Sequence, residues 1–251
     1  NANASYEANS AVNQQNRYNF FPSLSAAWRV SSEEFMASSG LIEDLKLRAS
    51  WSQTGNMYSS VYDYSKLYYR EERMDRLGVP TREVIPNEDL ELERKTTLNA
   101  GIDLSFFRQA TNIHVDYYMA SVDNLIIEQK LPSTWGFTSY FDNGGVLDIS
   151  GLEVSIDQKF KVGDFSGVIA ANFTQQATEV AQLNFISGAD NRIITPVPGA
   201  EHITSEGHAL NAFYGYVTNG IYQSDDEASK VTGPKGVPMK AGDVKFWDSD
   251  G

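Results

Sequence analysis

Alternation of apolar and polar residues is the feature that most limits the folds open to this chain. In residues 45–52 the odd positions are apolar, from Leu45 to Trp51, and the even positions are polar, from Lys46 to Ser52. The same pattern recurs in residues 98–106, 113–120 and 152–157. Successive side chains of a β-strand point to opposite faces of its sheet, so each segment predicts a strand with one apolar and one polar face.

Other segments complete the predicted secondary structure. Residues 18–30, 61–69, 165–174 and 213–222 predict further strands, and Gly, Asn and Asp mark turns at 54–56, 142–145 and 162–164. A short helix is expected over residues 31–36, with Ser31 as N-cap and Glu34 completing a capping box, and a helical turn over 225–230. The predicted fold class is all-β with antiparallel strands.

Strand length and aromatic placement leave two all-β architectures open. The alternating runs reach about 9–16 residues, more than the about 5–6 of an average strand and enough for the about 9–11 of a tilted transmembrane strand. Aromatic residues are expected near strand ends, as in interfacial girdles, at Tyr18, Phe20, Phe21, Trp28, Phe106, Phe107, Tyr117 and Tyr118. A soluble β-sandwich alternates in the same way, so the residues alone favour neither architecture.

Composition and motifs exclude several classes of function. Lys and Arg total 20 and Asp and Glu total 33, a formal net charge of −13, whereas phosphate backbones bind clustered Lys and Arg. We therefore expect no nucleic-acid partner. Cysteine is absent from the sequence, which excludes disulfides and thiolate chemistry within it. Phosphate-loop, dinucleotide and nucleophile-elbow motifs are also absent, so we predict no enzymatic activity and disfavour a β-rich hydrolase.

Two segments contain residues of the types that bind metals. Asp248 and Asp250 alternate before Gly251, like the opening of a calcium loop, for which a plain turn is the alternative. Two histidines and two carboxylates also lie within eight positions, a set that can hold zinc only if the chain folds back, at Glu201, His202, Glu206 and His208. A loop is the favoured interpretation there, and we expect no cofactor other than this candidate calcium.

Seven segments, taken in chain order, form a specific pattern. They are NRYNFFPSLSAAWR (16–29), LKLRASWSQTGN (45–56), the spaced residues PN, L, E, TT and NAGID (86–103), DYY with NLI (116–126), LPST and GF with GLEV (131–154), GYV with GIYQS (215–224) and GDVKF (242–246). This series resembles the C-terminal barrel portion of the SusC/RagA family of TonB-dependent outer-membrane transporters, which is typical of Bacteroidetes.

The resemblance implies an antiparallel transmembrane β-barrel in the outer membrane of a Gram-negative bacterium. Residues 1–251 then form part of a TonB-dependent receptor barrel of about 22 strands, a fragment of roughly eight to ten strands from mid-barrel onward. No segment resembles the family's plug domain, N-terminal extension or aromatic terminal strand. The resemblance also implies outer-membrane lipid around the barrel, TonB-driven import of oligosaccharide or peptide oligomers, and a SusD-like surface lipoprotein partner. The alternative function is a soluble extracellular β-sandwich that binds a ligand.

Within that framework, apolar faces such as Leu45 to Trp51 are expected to meet lipid and polar faces to line the lumen. The loops expected to meet cargo or the partner are residues 57–86, 131–145 and 184–210. The second contains four aromatic residues that can stack on a sugar ring or a peptide, namely Trp135, Phe137, Tyr140 and Phe141. An interface girdle or a lid contact is the alternative role for them.

Overall fold

The computed structural model is dominated by long antiparallel strands. It describes residues 1–10, 12–36, 42–57, 84–135, 137–184, 192–198, 200–231, 233 and 236–247. In chain order the strands are β1 (Ala2–Ala8), β2 (Tyr18–Arg29), β3 (Ile42–Asn56), β4 (Val84–Ile85), β5 (Glu93–Phe106), β6 (Thr111–Lys130), β7 (Ser139–Val162), β8 (Phe165–Leu183), β9 (Arg192–Val197), β10 (Ala200–Ser205), β11 (Ala212–Tyr214), β12 (Thr218–Ile221) and β13 (Val244–Phe246). In the described part of the chain, no helix has the length and apolar character needed to cross a membrane.

Seven of these strands form one continuous meander, in the order β1-β2-β3-β5-β6-β7-β8. Each pairs antiparallel with the next, and the short β4 pairs parallel with the start of β7. Every alternating segment of the sequence lies in one of these strands. The prediction of an all-β, antiparallel fold is confirmed.

One face of the meander is apolar and exposed. The register aligns Leu24, Trp51, Leu98 and Met119 in one row across β2, β3, β5 and β6, and these side chains are 59%, 37%, 49% and 47% exposed. A β-sandwich buries such a face beneath a second sheet. An apolar face left open is typical of a sheet that meets lipid.

Aromatic side chains border this apolar face. Tyr6 stacks on Tyr18 at a ring-centroid distance of 5.8 Å, close to Phe20, and Trp28 lies at the other end of β2. Tyr18 and Trp28 are ten positions apart. At about 3.3 Å per residue and a tilt of about 40° they span about 25 Å along the barrel axis, which is the height of the apolar band of an outer-membrane barrel.

The two ends of the meander differ. At one end, β5 and β6 are joined by residues 107–110 and β7 and β8 by Gly163 and Asp164, where Gly163 has a φ of +61°. At the other end, β6, β7 and β8 run to 20, 24 and 19 residues, beyond the about 9–11 that cross a membrane. Several described apolar side chains are buried there, among them Leu90, Ile127, Leu147, Val180 and Leu183. We call this the long-loop end.

Some predicted boundaries were wrong. Ser31 does not cap a helix: residues 30–36 form two short 3-10 turns, and the Ser31 hydroxyl donates to Asp44 at 2.8 Å. Residues 142–145 are not a turn, because β7 continues through them, so strand replaces half of the loop expected at 131–145. β9 and β10 occupy much of the loop expected at 184–210. The strand predicted over residues 61–69 lies outside the described residues.

Residues 193–203 and 211–251 form a second compact unit. It contains the three-stranded sheet β11-β10-β9 and the pair β12–β13, so the strand predicted over 213–222 is divided between β11 and β12. The helical turn predicted over 225–230 is confirmed as α1 (Asp225–Ala228), where the Ser224 hydroxyl accepts the N–H of Glu227. The Lys245 ammonium and a backbone N–H bind the Glu227 carboxylate and lower its pKa.

Arginine substitutions test the assignment of the two faces. Ala49 lies on the exposed apolar face of β3, and Ser50 lies on the opposite face. We expect Ala49→Arg to lower the free energy of unfolding of the full-length barrel by about 2–4 kcal/mol, because a cation at mid-bilayer loses its hydration. Ser50→Arg is expected to cost much less. Equal losses in urea titrations of the two variants in lipid vesicles contradict the assignment.

Candidate functional site

The inner face, opposite the apolar one, carries an ion-pair cluster centred on Arg48. Arg48 Nε and Nη2 donate to the Asp103 carboxylate at 2.9 and 2.8 Å, and Nη1 and Nη2 donate to Asp116 at 2.8 Å each. The Lys46 ammonium lies 3.7 Å from the Asp103 carboxylate, and His114 Nδ1 lies 2.9 Å from it. The two positive charges of Arg48 and Lys46 therefore balance the two negative charges of Asp103 and Asp116 on this face.

The strand register explains how Arg48 reaches two other strands. Arg48 on β3 is paired with Gly101 on β5, and Gly101 is paired with Asp116 on β6. A Cβ at position 101 would lie 2.4 Å from Asp116 Oδ1 and 2.7 Å from Arg48 Nη2, closer than non-bonded atoms approach. The guanidinium crosses β5 only because position 101 has no side chain.

At the long-loop end, residues 87–93 bind to the extensions of β6 and β7, and we call this segment the strap. Asn143 on β7 donates from Nδ2 to the carbonyls of Glu91 and Asn124, at 3.0 and 2.8 Å, and its Oδ1 accepts the Glu91 N–H at 2.8 Å. Asn87 Nδ2 donates to the Phe141 carbonyl at 3.0 Å. Side-chain amides thus replace regular strand pairing where the strap meets the sheet.

A buried carboxylate completes this contact. Glu93, only 7% exposed, accepts the Ile126 N–H on one oxygen and Asn56 Nδ2 on the other, both at 3.0 Å. Ile126 follows a bulge at which Asn124 adopts a φ of +57° and the β6–β7 register shifts. Glu93 therefore satisfies a buried backbone N–H that a bulge removes from regular pairing.

The four aromatic residues proposed for cargo do not share one surface. Trp135 ends a 3-10 turn over Ser133–Trp135 at the tip of the β6–β7 hairpin and is 54% exposed, and Phe137 is half-buried in the same connection. Tyr140 and Phe141 are consecutive residues of β7, so their side chains point to opposite faces of the sheet. The structure brings Trp135 and Phe137 together in one loop and separates Tyr140 from Phe141.

Tyr140 is a neutral hydrogen-bonding group in this setting. Burial raises the pKa of its phenol above the usual value, and the carboxylates of Asp142 and Asp89 raise it further. The charged phenolate is disfavoured because it loses hydration and lies near two negative charges. At physiological pH the Tyr140 hydroxyl therefore keeps its proton.

The candidate metal ligands give no assembled site in the described chain. Asp248 and Asp250 lie outside the described residues, so the calcium prediction is not tested. His202 lies in β10 with Nδ1 2.8 Å from the Asn211 carbonyl oxygen, and His208 Nδ1 lies 2.9 Å from the Glu206 carbonyl oxygen. Within the described ranges, no three His, Cys, Asp or Glu side chains are placed to hold a metal ion.

Sequence reasoning missed the roles of Gly101 and Asn143. Gly101 occupies a polar position of an alternating strand, where a glycine gives no signal of the side chain that lies over it. Asn143 lies in the run Asp-Asn-Gly-Gly, which ordinarily marks a turn. The signal available in the sequence was Gly145, because a glycine within a strand often marks a bulge. In the structure, a Cβ at Gly145 would lie 3.1 Å from Ile127 Cδ1.

Comparisons with known proteins agree with this architecture. Residues 1–238 match the family described as TonB dependent receptor-like, beta-barrel. The chain is 30% identical to TonB-dependent receptor P3 of Formosa agariphila, over 98% of this chain and 25% of that protein. It is 28% identical to TonB-dependent receptor SusC of Bacteroides thetaiotaomicron, over 84% of this chain and 22% of that protein.

A solved structure shows the same fold. The RagAB peptide importer in its closed-closed state superposes with a TM-score of 0.77 at 22% identity, over 99% of this chain and 27% of that one. An antiparallel meander with one exposed apolar face and one charged face has the structure of a transmembrane β-barrel wall. The chain belongs to the β-barrel family of TonB-dependent receptors, which lie in the outer membrane of Gram-negative bacteria. It spans about a quarter of the length of these relatives.

The buried Glu93 carboxylate yields a test of the strap. Glu93→Ala leaves the Ile126 N–H buried without an acceptor, which costs about 1–3 kcal/mol. We expect faster hydrogen–deuterium exchange at residues 124–128 and a lower melting temperature of the full-length protein in detergent. The control is Glu128→Ala, because Glu128 pairs with the 81% exposed Lys130 and such surface pairs contribute about 0–1 kcal/mol. Unchanged exchange at Ile126 in Glu93→Ala contradicts the role of Glu93.

Proposed function

We propose that this chain is part of the barrel of a SusC/RagA-type transporter that imports oligosaccharide or peptide oligomers, driven by TonB and assisted by a SusD-like surface lipoprotein. In the full-length protein, further strands close the meander into a barrel of about 22 strands. The similarity to SusC and to the RagAB peptide importer supports this proposal. The two-sided wall is the observation that carries it.

The wall has the properties that a solute pathway through lipid requires. Its apolar face is exposed along β2, β3, β5 and β6, whereas its other face carries the balanced charges of the Arg48 cluster. Only a closed barrel can satisfy the backbone groups of such a sheet in hydrocarbon. A soluble ligand-binding sandwich does not explain an exposed apolar face of this size, and a hydrolase requires a catalytic constellation that neither the motifs nor the described residues supply.

Connection lengths orient the wall in the membrane. Outer-membrane barrels have short periplasmic turns and longer extracellular loops. The connections 107–110 and 163–164 are the two shortest of the meander, and they support a periplasmic position for their end, where residues 30–41 also join β2 to β3. The long-loop end then faces the exterior. Cargo and the lipoprotein then arrive at the strap, the β6–β7 hairpin and residues 204–210, which hydrogen-bond to β8 at Val180.

Trp135 is the foremost candidate for cargo contact, together with Phe137. Trp135 lies at the tip of the β6–β7 hairpin with half of its surface exposed, and an indole ring can stack on a sugar or on a peptide side chain. Tyr140 and Phe141 face opposite sides of the hairpin, so a single cargo molecule contacts one of these two rings. The exposed ring of Trp135 also suits a contact with the lipoprotein.

Growth of a deletion strain tests the transport function. We expect removal of the full-length gene to abolish growth on at least one member of a panel of oligosaccharides and tryptic peptides, while growth on the matching monomers persists. Complementation with the full-length gene restores growth, and a protonophore stops uptake because TonB coupling depends on the energised inner membrane. Unchanged growth on every member of the panel contradicts the proposal.

Substitution of Trp135 tests the cargo contact. We expect Trp135→Ala to raise the half-saturation concentration for uptake of the growth-supporting oligomer about tenfold, equivalent to about 1.4 kcal/mol. Trp28→Ala is the matched control, because Trp28 is similarly exposed but borders the apolar face. Equal half-saturation concentrations for the two variants contradict a cargo role for Trp135. Loss of lipoprotein co-purification in Trp135→Ala assigns Trp135 to the partner instead.

A further inference from the structure

Gly101, Gly151 and Gly167 each lie beneath the long side chain of the residue paired with them on the neighbouring strand. Gly101 lies beneath Arg48, as described above. A Cβ at Gly151 on β7 would lie 2.4 Å from Cζ of Tyr118, and a Cβ at Gly167 on β8 would lie 2.7 Å from Cζ of Phe160. In each case the missing side chain lets a larger one lie flat against the sheet, as when aromatic rings cover glycines in designed sheets.

Two of these side chains lie on the inner face and run in the same direction. Arg48 leaves β3, crosses β5 at Gly101 and ends at Asp116 on β6. Tyr118 leaves β6, crosses β7 at Gly151 and donates its hydroxyl hydrogen to Gln176 Oε1 on β8 at 3.4 Å. Asp116 and Tyr118 are two positions apart on β6, so the two side chains together cover the wall from β3 to β8.

Because Arg48 and Tyr118 lie flat against the sheet, the guanidinium and the phenol ring do not extend from its inner face. The Arg48 guanidinium donates from all three of its nitrogens to Asp103 and Asp116. Its charge is balanced inside the wall, which leaves no free fork of donors for a passing carboxylate or carbonyl. Tyr118 likewise directs its hydroxyl along the sheet, and its ring covers the backbone at Gly151.

We propose that Gly101 and Gly151 are positioning residues for transport: they hold Arg48 and Tyr118 flat, so that the inner wall offers moving solute neither a free guanidinium nor a projecting ring. This inference rests on the proposed transport function and assigns a role to the wall itself. Gly101→Ala displaces Arg48 and exposes one cation and two carboxylates to the pathway. Gly151→Ala turns the Tyr118 ring away from the sheet.

Gly167 provides a matched control on the opposite face. Phe160 is four residues from the exposed Ile156 on β7 and therefore shares its apolar face, where it lies 5.8 Å from Phe165. Gly167→Ala displaces an aromatic ring of similar size to Tyr118 without altering the inner face. It thus separates an effect on the pathway from a general loss of barrel stability.

Chemical labelling of the full-length protein measures directly whether Arg48 covers the carboxylates of Asp103 and Asp116. A carbodiimide with an amine nucleophile is applied to the detergent-purified protein, and modified carboxylates are quantified by mass spectrometry. We expect Asp103 and Asp116 to react at least threefold faster in Gly101→Ala than in the wild type and in Gly167→Ala. Equal reactivity in all three proteins overturns the role of Gly101.

Uptake measures the consequence for transport. At equal amounts of folded barrel, judged by heat-modifiable mobility, we expect Gly101→Ala and Gly151→Ala to lower the maximal uptake rate of the growth-supporting oligomer at least threefold. The half-saturation concentration should stay unchanged because the loops are intact, and Gly167→Ala should transport normally. Rates equal to those of Gly167→Ala overturn the inference.

A double variant keeps the test informative if single variants fold poorly. Gly151→Ala combined with Tyr118→Ala has no ring to displace, so we expect its uptake rate to recover toward the wild-type value. A rate that remains as low as that of Gly151→Ala alone overturns the inference. If the wild-type protein imports no member of the panel, the proposed function is overturned instead. The carboxylate labelling then tests by itself whether Gly101 allows Arg48 to lie against the sheet.

Discussion

Backbone hydrogen bonding is the constraint on which the rest of this structure depends. A strand in hydrocarbon has no water to satisfy its N–H and C=O groups, so each strand must pair along its length with two neighbours. The meander from β1 to β8 meets this requirement for every strand between its two edges. Once the strands are paired, the alternation of side chains decides which face each residue occupies. One set of side chains meets lipid, and the other set can carry charge, as Arg48, Asp103 and Asp116 do.

The inner face and the long-loop end solve the problem of polar groups in different ways. Arg48 satisfies its donors with carboxylates from two other strands, across a glycine. At the long-loop end, the Glu93 carboxylate and the Asn143 amide bond to backbone groups that the bulge and the strap leave outside regular pairing. The first arrangement balances charge on the wall. The second fixes an irregular segment against two extended strands.

The sequence supports the fold more fully than it supports the site. Alternation from Leu45 to Trp51 predicts a strand because a period of two has one structural interpretation, and the aromatic residues of β2 indicate the height of the apolar band. Asp142–Gly145 misleads because the same residues form turns and bulges, and only the pairing partner distinguishes the two. Ser31 misleads because Asp44, thirteen residues away, competes for its hydroxyl hydrogen. Gly101 carries no local signal, since its role depends on residues 53 positions before it and 15 after it.

The unequal ends of the meander bear on how such a wall enters its membrane. In the proposed orientation, strands that insert from the periplasm carry the connections of the long-loop end through the hydrocarbon, and those connections include Glu88, Asp89 and Glu91, each of which is costly in an apolar medium. The two-residue link between β7 and β8, Gly163 and Asp164, lies at the periplasmic end and does not cross. The desolvation cost of inserting this part of the barrel is therefore largest at the acidic connections of its long-loop end.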